Sequence, residues 1–394
     1  MNNKQTLLLP GPTCVPPQVL SALSKPAISH RGPEFKSLLK EVNDGLKNIF
    51  QTNSDVIVLT ASGTAGMEAA IVNLISPGEK VLAVTIGVFG ERFVEICRSF
   101  GVEVEVMAFP YGQQADPKII ANRLEADKEH QIKAILVQHN ETSTGVLNDI
   151  QAISKARGDH PALLIVDSIS GMITADLPMD EWNLDVVITG SQKAMMLPPG
   201  LALIALSERA WQAAEKCKNQ CFYLDLKKAR EWAATDQTPF TPAVPLLYGL
   251  KESINLIQKE TLAGCFKRHS ILRDMVRAGV RALGLKLLVE DDKIASPGVT
   301  TVYVPEGLKP SDIIDSLREK FGVIIAGGQR QIKDKTFRIG HLGYVNYSDI
   351  LAGLSALEVV LADYGIPVKT GAAVAAANDI LRSKKNKINL NLVS

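Results

Sequence analysis

A single lysine, Lys193, directly follows an apolar, β-branched run at 187–189 (VIT) and three small or polar residues at 190–192 (GSQ). Such a run predicts a buried strand, and open α/β sheets bind their ligands at the carboxyl ends of their strands. A lysine at that place can bind a phosphate or carboxylate, act as a covalent nucleophile, or be an ordinary surface residue. Most lysines are surface residues, so the role of Lys193 depends on which other groups share its edge of the sheet.

A carboxylate follows a second apolar run. Asp167 comes directly after 163–166 (LLIV) and precedes Lys193 by the length of one helical crossover. Because right-handed crossovers bring strand ends to one edge, we expect the two residues on neighbouring or near-neighbouring strands. A carboxylate after a buried strand is costly unless it is paired. Asp167 is therefore either a helix N-cap or an active-site acid.

A turn of small residues, 62–66 (SGTAG), joins a strand predicted at 56–59 to a helix predicted at 67–75. Small residues let backbone N–H groups approach an anion, the helix N-terminus adds its positive end, and Ser62 and Thr64 add hydroxyls. The turn is neither a Walker A loop nor a GxGxxG fingerprint. It is either a phosphate nest or a tight turn that needs only small residues.

An aromatic ring, Phe89, follows the strand predicted at 81–86 and belongs to the same edge. Alone, it would be read as a packing residue. Together with the anion nest, Asp167 and Lys193, it matches the needs of pyridoxal phosphate. The phosphate needs the nest, the pyridine nitrogen a carboxylate, the aldehyde an amine for a Schiff base, and the ring face a partner for stacking.

Short apolar strands alternate with helical patterns along the first half of the chain. This alternation predicts a mainly parallel sheet with helices on both faces. The strands are predicted at 56–59, 81–86, 102–108, 134–138, 163–167, 186–189 and 201–206, and the helices at 34–50, 67–75, 90–100 and 117–124. The proline-rich stretch 7–17 cannot be a helix and is expected to form an extended arm.

The second half has a different organisation. A long helical pattern from 246 to about 279 leads to a smaller α+β region. Its strands are predicted at 299–304, 323–326 and 336–340, its helices at 311–320 and 347–361, and an Ala-rich helix from 371 precedes a basic tail at 383–387 that we expect to be solvated or frayed. We predict an N-terminal arm (1–25), a large α/β domain (26–258) and a small C-terminal α+β domain (259–394).

Composition narrows the class of protein. The 394 residues are 46% hydrophobic and carry a formal net charge of +1, which gives no long-range attraction to nucleic acid or to an anionic membrane. No apolar run approaches the length of a membrane span. The number of cysteines is odd and their spacings are wide, which favours reduced thiols over a disulfide framework. We expect a cytoplasmic protein without nucleic-acid or membrane partners.

Eight short motifs occur in one order along nearly the whole chain. They are PGPT with VPP at 10–17, SHRGPEF at 29–35, ASGTAGMEA at 61–69, NETSTGV at 140–146, VDSISG at 166–171, TGSQK at 189–193, TPFTPAVPLLYGL at 238–250 and FRIGHLG at 337–343. With these motifs the chain resembles class V (fold type I) pyridoxal-phosphate aminotransferases, and specifically the alanine–glyoxylate, serine–pyruvate and serine–glyoxylate group. The resemblance implies a large domain with a mostly parallel seven-stranded sheet covered by helices, and a smaller C-terminal α+β domain.

The resemblance also implies roles for individual residues. Lys193 would form the Schiff base with pyridoxal phosphate, and Asp167 would pair with the pyridine nitrogen. The other cofactor contacts would come from Ser62, Gly63, Thr64, Phe89, Thr142, Gln192 and, across the interface of a homodimer with shared active sites, Thr241. The chain has Phe89 where the family often has tryptophan, Thr142 where serine is common and Thr238 where some relatives have tyrosine.

Substrate binding would centre on Arg338, with Thr142 and the backbone at Gly11 lining the same pocket. A planar guanidinium grips a carboxylate through two hydrogen bonds and thereby fixes the orientation of the substrate. Without the motif, Arg338 would equally be a surface arginine on an edge strand. The nearby Arg330, Lys333 and Lys335 are interpreted as a solvated loop.

The implied function is ping-pong transamination between a small amino acid, alanine or serine, and glyoxylate or another small 2-oxo acid. A cysteine desulfurase or related lyase is one rival, but such enzymes use a cysteine on a loop of the small domain, and no cysteine follows Cys265. A non-enzymatic or metal-cluster subunit, for instance of a hydrogenase, is a rival of another class. A metal–sulfur centre needs more ligands than the one close pair, Cys217 and Cys221, so we predict no metal site.

Overall fold

The computed structural model describes residues 5–385. Its strands are β1 (Thr6–Leu7), β2 (Asp55–Thr60), β3 (Lys80–Thr85), β4 (Glu103–Ala108), β5 (Ile132–Gln138), β6 (Asn140–Glu141), β7 (Val146–Leu147), β8 (Leu163–Asp167), β9 (Val186–Gly190), β10 (Leu201–Leu206), β11 (Val299–Tyr303), β12 (Val323–Ile324), β13 (Ala326–Gly327) and β14 (Thr336–Gly340). Its helices are α1 (Pro17–Leu23), α2 (Pro33–Phe50), α3 (Gly63–Leu74), α4 (Val88–Ser99), α5 (Pro117–Ala126), α6 (Ile150–Arg157), α7 (Glu208–Lys216), α8 (Leu226–Ala233), α9 (Val244–Glu260), α10 (Leu262–Ala282), α11 (Pro310–Phe321), α12 (Tyr347–Asp363) and α13 (Ala372–Lys385).

The main sheet has seven strands in the order β2-β10-β9-β8-β5-β3-β4. All neighbouring pairs are parallel except those of β10, which runs antiparallel to both β2 and β9. The predicted mainly parallel sheet is therefore confirmed. Because the parallel strands point the same way, the turns that follow β2, β3, β5, β8 and β9 meet at one edge.

Helices bury both faces of this sheet. Successive residues of a strand point to opposite sides, so Val166 and Val187 join one hydrophobic cluster and Ile165 and Ile188 join the other. The first cluster includes the apolar stripe of α2, and the second packs against α3 and α4. Because these strands are apolar on both faces, both faces of the sheet must be covered by helices.

A second, three-stranded sheet has the order β11-β14-β13 and lies in a third hydrophobic cluster with α10, α11, α12 and α13. The N-terminal arm reaches this region, because β1 pairs in parallel with β12 and Leu8 is buried in the third cluster. The arm then passes the edge where the parallel strands end: Pro10 accepts a hydrogen bond from Lys193. The predicted division of the chain at residue 258 stays a prediction.

Three expectations about elements were wrong. The helical pattern from 246 to 279 is two helices, α9 and α10, separated at Thr261, which has a φ of 69° and caps α10 through its hydroxyl. The strand predicted at 323–326 is two short strands, β12 and β13, which pair with different partners. The tail predicted to fray from 383 is helical to 385, and Lys384 forms an ion pair with Asp274 of α10; 386–387 lie outside the described residues.

Among residues 5–385, no helix combines the length and the apolar character needed to cross a membrane.

Candidate active site

Asp167 is the last residue of β8 and is 3% exposed. Its Oδ1 accepts a hydrogen bond from the backbone N–H of Ile169 at 2.8 Å, and no described residue donates to its Oδ2. Burial raises the pKa of Asp167 to about 7, although the hydrogen bond from Ile169 opposes that shift. Oδ2 of Asp167 is thus available to a cationic or N–H partner at the end of β8.

Lys193 follows β9, the strand that pairs with β8. Its Nζ donates to the carbonyl of Pro10 at 2.5 Å, and its own carbonyl accepts from the Thr13 hydroxyl at 2.9 Å. Burial lowers the pKa of Lys193 to about 8, and the positive charge of Arg338 lowers it further. A buried amine whose pKa lies near neutrality is a competent nucleophile and proton carrier.

Gly11 lies against this amine. A Cβ at position 11 would be 2.6 Å from Nζ of Lys193, and the φ of 126° at Gly11 also disfavours a side chain. Glycine is therefore needed here so that the N-terminal arm can approach the lysine. This contact places Gly11, which the resemblance assigns to the substrate pocket, against Lys193.

The turn 62–66 opens helix α3, as the anion-nest interpretation requires. Ser62 is the N-cap residue, but its side chain forms no capping hydrogen bond, so its hydroxyl and the first helical N–H groups are available to a ligand. A Cβ on Gly190 would lie 3.0 Å from Oε1 of Gln192 and 3.5 Å from Cα of Gly63. The Gln192 amide thus borders the start of α3, and its Oε1 is buried without a hydrogen-bond partner.

Phe89 lies in the first turn of α4, on the same edge of the sheet. The guanidinium of Arg92 stacks over its ring at 4.7 Å from the centroid and donates to the Thr64 hydroxyl at 3.4 Å. Arg92 therefore connects the aromatic ring to the anion nest. Arg92 was not predicted from the sequence, although its i,i+3 spacing from Phe89 on a helix was an available signal.

Glu141 was also missed. It is fully buried, and its carboxylate accepts the backbone N–H groups of Phe89 at 3.0 Å and Gly90 at 3.2 Å. Its other oxygen accepts from the Ser143 hydroxyl at 2.5 Å. The carboxylate accepts from backbone N–H groups that have no partner within the first turn of α4, and it thereby fixes the position of Phe89. Burial raises the pKa of Glu141, and these hydrogen bonds oppose the shift.

Arg338 extends from β14 toward the same edge and is 7% exposed. Its Nε donates to the Gly327 carbonyl at 2.8 Å, and its Nη1 donates to the Thr142 carbonyl at 3.2 Å. Burial lowers the pKa of Arg338 to about 10, and the negative charge of Glu141 opposes this shift. The guanidinium remains charged at neutral pH and is held at the site by backbone carbonyls.

Thr142 joins Arg338 to the loop after β5. Its carbonyl accepts from Arg338, whereas its hydroxyl lies 2.5 Å from the Ser170 hydroxyl. Ser170 in turn accepts from the Asn140 amide at 2.8 Å. The Thr142 hydroxyl therefore belongs to a buried polar network with Ser170 and Asn140.

Thr241 is the one predicted site residue whose role lies across the predicted dimer interface. It is exposed in the segment before α9, and no hydrogen bond joins its side chain to another described residue. Its segment lies against the end of β2, because the Ala243 N–H donates to the Thr60 hydroxyl at 3.1 Å. Its predicted role requires a second subunit.

The cluster fits pyridoxal phosphate. The uncapped start of α3 leaves N–H donors at the position of an anion, and the amide of Gln192, which borders Gly63, can add an N–H donor there. Asp167 presents a second oxygen for a ring nitrogen, and Phe89 presents an aromatic face. Lys193 supplies the only amine among these groups, with its pKa lowered toward neutrality.

A sequence model of the family described as Aminotransferase class-V matches residues 7–351. The chain belongs to the class-V aminotransferase family. Pyridoxal phosphate is therefore the cofactor of this fold type I aminotransferase, as the four-part constellation predicted.

Relatives that align with nearly the whole of this class-V aminotransferase are named either as hydrogenase subunits or as aminotransferases. It is 43% identical to the soluble hydrogenase small subunit of a Synechococcus strain, over 97% of this chain and 99% of that one. It is 38% identical to L-aspartate–glyoxylate aminotransferase of Paracoccus denitrificans, over 97% of each chain. Its structure is similar to that of ureidoglycine–glyoxylate aminotransferase from Bacillus subtilis, with a TM-score of 0.91, 30% identity, and coverage of 97% of this chain and 99% of that one.

Proposed function

We propose that this aminotransferase moves an amino group from a small amino acid, alanine or serine, to glyoxylate or another small 2-oxo acid by a ping-pong mechanism. The observation that carries the proposal is the buried guanidinium of Arg338, whose positive charge lowers the pKa of the Lys193 amine. One carboxylate binder beside one amine suits an α-amino or 2-oxo acid. The names of two relatives, the Paracoccus and Bacillus enzymes, share glyoxylate as acceptor.

The cofactor, when bound, supplies an electron-withdrawing ring that accepts the electron pair left when the α-proton of the donor departs. Lys193 Nζ would take that proton as a general base and, as the conjugate acid, return it on the same face to the cofactor carbon that carries the amino nitrogen. Addition of water would then release the donor's carbon skeleton as a 2-oxo acid, while its amino group would stay with the cofactor. In the second half-reaction Lys193 performs the same transfers in reverse, and the acceptor leaves as an amino acid.

The other residues hold the reacting groups in place. Arg338 binds the carboxylate common to donor and acceptor, so both substrates present the α-carbon to the same amine. Asp167 keeps the ring nitrogen protonated, and Phe89 confines the ring from one face. Ser62, Gly63, Thr64 and Gln192 bind the phosphate at the start of α3, and Gly11 closes the pocket over Lys193.

A substrate panel tests this proposal. The holoenzyme is mixed singly with alanine, serine, glycine or aspartate, and the loss of the visible absorption band of the cofactor is followed. Glyoxylate, pyruvate or 2-oxoglutarate is then added to restore it. We expect alanine or serine to bleach the band fastest and glyoxylate to restore it fastest, and double-reciprocal plots to be parallel. Preference for aspartate would contradict the small-donor assignment.

The same purified protein also tests the hydrogenase-subunit alternative, which the name of the Synechococcus relative suggests. Among the residues that the structure describes, no group of three or more His, Cys, Asp or Glu side chains could hold a metal ion. We expect iron and nickel well below one atom per chain. Stoichiometric iron or nickel, together with an inert cofactor band, would favour the hydrogenase-subunit alternative.

We further propose a homodimer in which Thr241 reaches the phosphate site of the partner subunit. Phe222 and Tyr223 are 75% and 50% exposed, and both rings lie within 5.5 Å of the Phe240 ring, next to Thr241. Exposed aromatic clusters of this kind favour protein contacts.

Sedimentation equilibrium of the dimer tests this arrangement. We expect twice the chain mass for the wild-type protein, because the aromatic cluster is covered by a second copy. A Phe222→Asp, Tyr223→Asp variant is expected to sediment as a monomer and to lose the cofactor on dialysis. Ile119→Asp, which changes another exposed apolar residue, serves as the control. A wild-type monomer that keeps its cofactor would contradict the shared site.

A further inference from the structure

Arg330 lies in the loop between β13 and β14, which was interpreted from the sequence as solvated. Arg330 is exposed, as that interpretation expects, but its guanidinium is paired with two carboxylates. Nη1 of Arg330 is 2.6 Å from Oε2 of Glu91, and Nη2 is 2.5 Å from Oε1 of Glu95. Glu91 and Glu95 are one turn apart on the same face of α4. One guanidinium therefore bridges two carboxylates and ties the loop to a helix of the main sheet.

We call the pairing of Arg330 with Glu91 and Glu95 the clamp. A third side chain, Tyr111, fixes the helix side of the clamp. Oε1 of Glu91 accepts a hydrogen bond from the Tyr111 hydroxyl at 2.7 Å. Burial raises the pKa of Tyr111, and the hydrogen bond and charge of Glu91 raise it further, so the phenol stays protonated and donates. Glu91 thus has fixed partners at both oxygens. A pre-oriented carboxylate loses less side-chain entropy on pairing than a free one does.

The loop side of the clamp reaches the proposed substrate site. Gln329, the neighbour of Arg330, accepts from Nη1 of Arg338 at 3.3 Å, and Gly327 at the start of the loop accepts from Nε of Arg338 at 2.8 Å. At the other end, α4 carries Phe89 in its first turn. The clamp therefore joins the loop that orients the carboxylate binder to the helix that presents the aromatic ring.

We propose that Arg330 is a positioning residue that sets the affinity for both substrates. By pairing with Glu91 and Glu95 it holds the loop 327–335 against α4, and the loop in turn holds the guanidinium of Arg338 in place for a carboxylate. This inference rests on the proposed function, because the carboxylate is that of the amino or 2-oxo acid. Arg330 touches neither the reacting atoms nor Lys193, so its effect is on binding and not on chemistry.

Steady-state kinetics of three variants test the proposal. Arg330→Gln is expected to raise KM for both amino donor and 2-oxo acid by roughly three- to tenfold, with kcat within about twofold, because exposed pairs are individually weak. Arg330→Lys is expected to restore part of the loss, since it keeps one charge. Arg318→Gln breaks an exposed pair with Asp315 on α11 and serves as the control with unchanged KM. An unchanged KM in Arg330→Gln would overturn the proposal.

A second measurement does not depend on catalysis. Trypsin cleaves after Lys333 and Lys335, which are exposed in the same loop. A Glu91→Gln, Glu95→Gln variant keeps every tryptic residue and is expected to be cut there at least about threefold faster than wild type. Equal rates would overturn the clamp even if transamination is found. If the wild-type protein converts no donor, the proposed function fails, and the cleavage rates still decide whether the clamp holds the loop.

Discussion

Replacement of Lys193 by alanine is expected to abolish transamination, with a fall in kcat/KM of more than roughly 10⁴-fold, because in the proposed mechanism one amine supplies both the covalent attachment and the proton transfers. The variant should bind pyridoxal phosphate without the covalent absorption band and release it on dialysis. Absorbance spectra before and after dialysis, together with the substrate panel, measure both effects. Lys40→Ala, which removes an exposed lysine from α2, is expected to leave both unchanged.

The pH dependence of cofactor capture adds a second test of the same residue. The pKa of Lys193 is lowered to about 8 from its ordinary value of 10.5, so the neutral amine becomes the major form above pH 8. The rate at which the apoenzyme captures pyridoxal phosphate is therefore expected to rise as pH rises through about 8 and then level off. A rate that keeps rising to pH 10.5 would mean that the site does not perturb the lysine.

Asp167→Asn is the second replacement with a large expected effect. The amide keeps the shape of the side chain but cannot hold a proton on the ring nitrogen electrostatically. We expect kcat to fall by roughly 10²–10⁴-fold. Asp149→Asn, which alters an exposed helix cap of α6, is the matched control. Activity near the wild-type level in Asp167→Asn would contradict the role given to this carboxylate.

The stability of the apoenzyme reports on Asp167 without catalysis. Burial raises the pKa of Asp167 from 3.8 to about 7, so between these values the folded chain binds more protons than the unfolded chain. The free energy of unfolding contributed by this group therefore falls as pH rises from about 4 to 7. Relative to wild type, the Tm of Asp167→Asn is expected to improve over that interval. A difference in Tm that does not change with pH would argue against a strongly raised pKa.

The main sheet could be predicted because its strands are apolar on both faces and are separated by helical patterns. The same regularity located Asp167 and Lys193, since each follows such a strand and crossover geometry brings strand ends to one edge. The antiparallel course of β10 could not be predicted, because a buried strand has the same composition in either direction. The interruption of the helix at Thr261 could not be predicted either, because the helical spacing of the apolar residues continues through this position.

The parts of the site that escaped prediction depend on tertiary contacts. Glu141 lies in the polar motif at 140–146, where a carboxylate would ordinarily be expected to be solvated, and only the packing of α4 shows that it accepts from backbone N–H groups. Arg330 lies beside Lys333 and Lys335 in a basic stretch that has no apolar pattern. Its partners, Glu91 and Glu95, are more than two hundred residues away in the chain. No local spacing links such residues.

The identity of the residue that binds the cofactor covalently tests the account most directly. The holoenzyme is reduced with borohydride, digested, and analysed by mass spectrometry for a pyridoxyl-phosphate adduct. We predict one modified residue, Lys193, and no modification when the protein is first treated with an amino donor that converts the cofactor. An adduct on another lysine, or none at all in a protein that retains the visible band, would contradict the assignment of the active site.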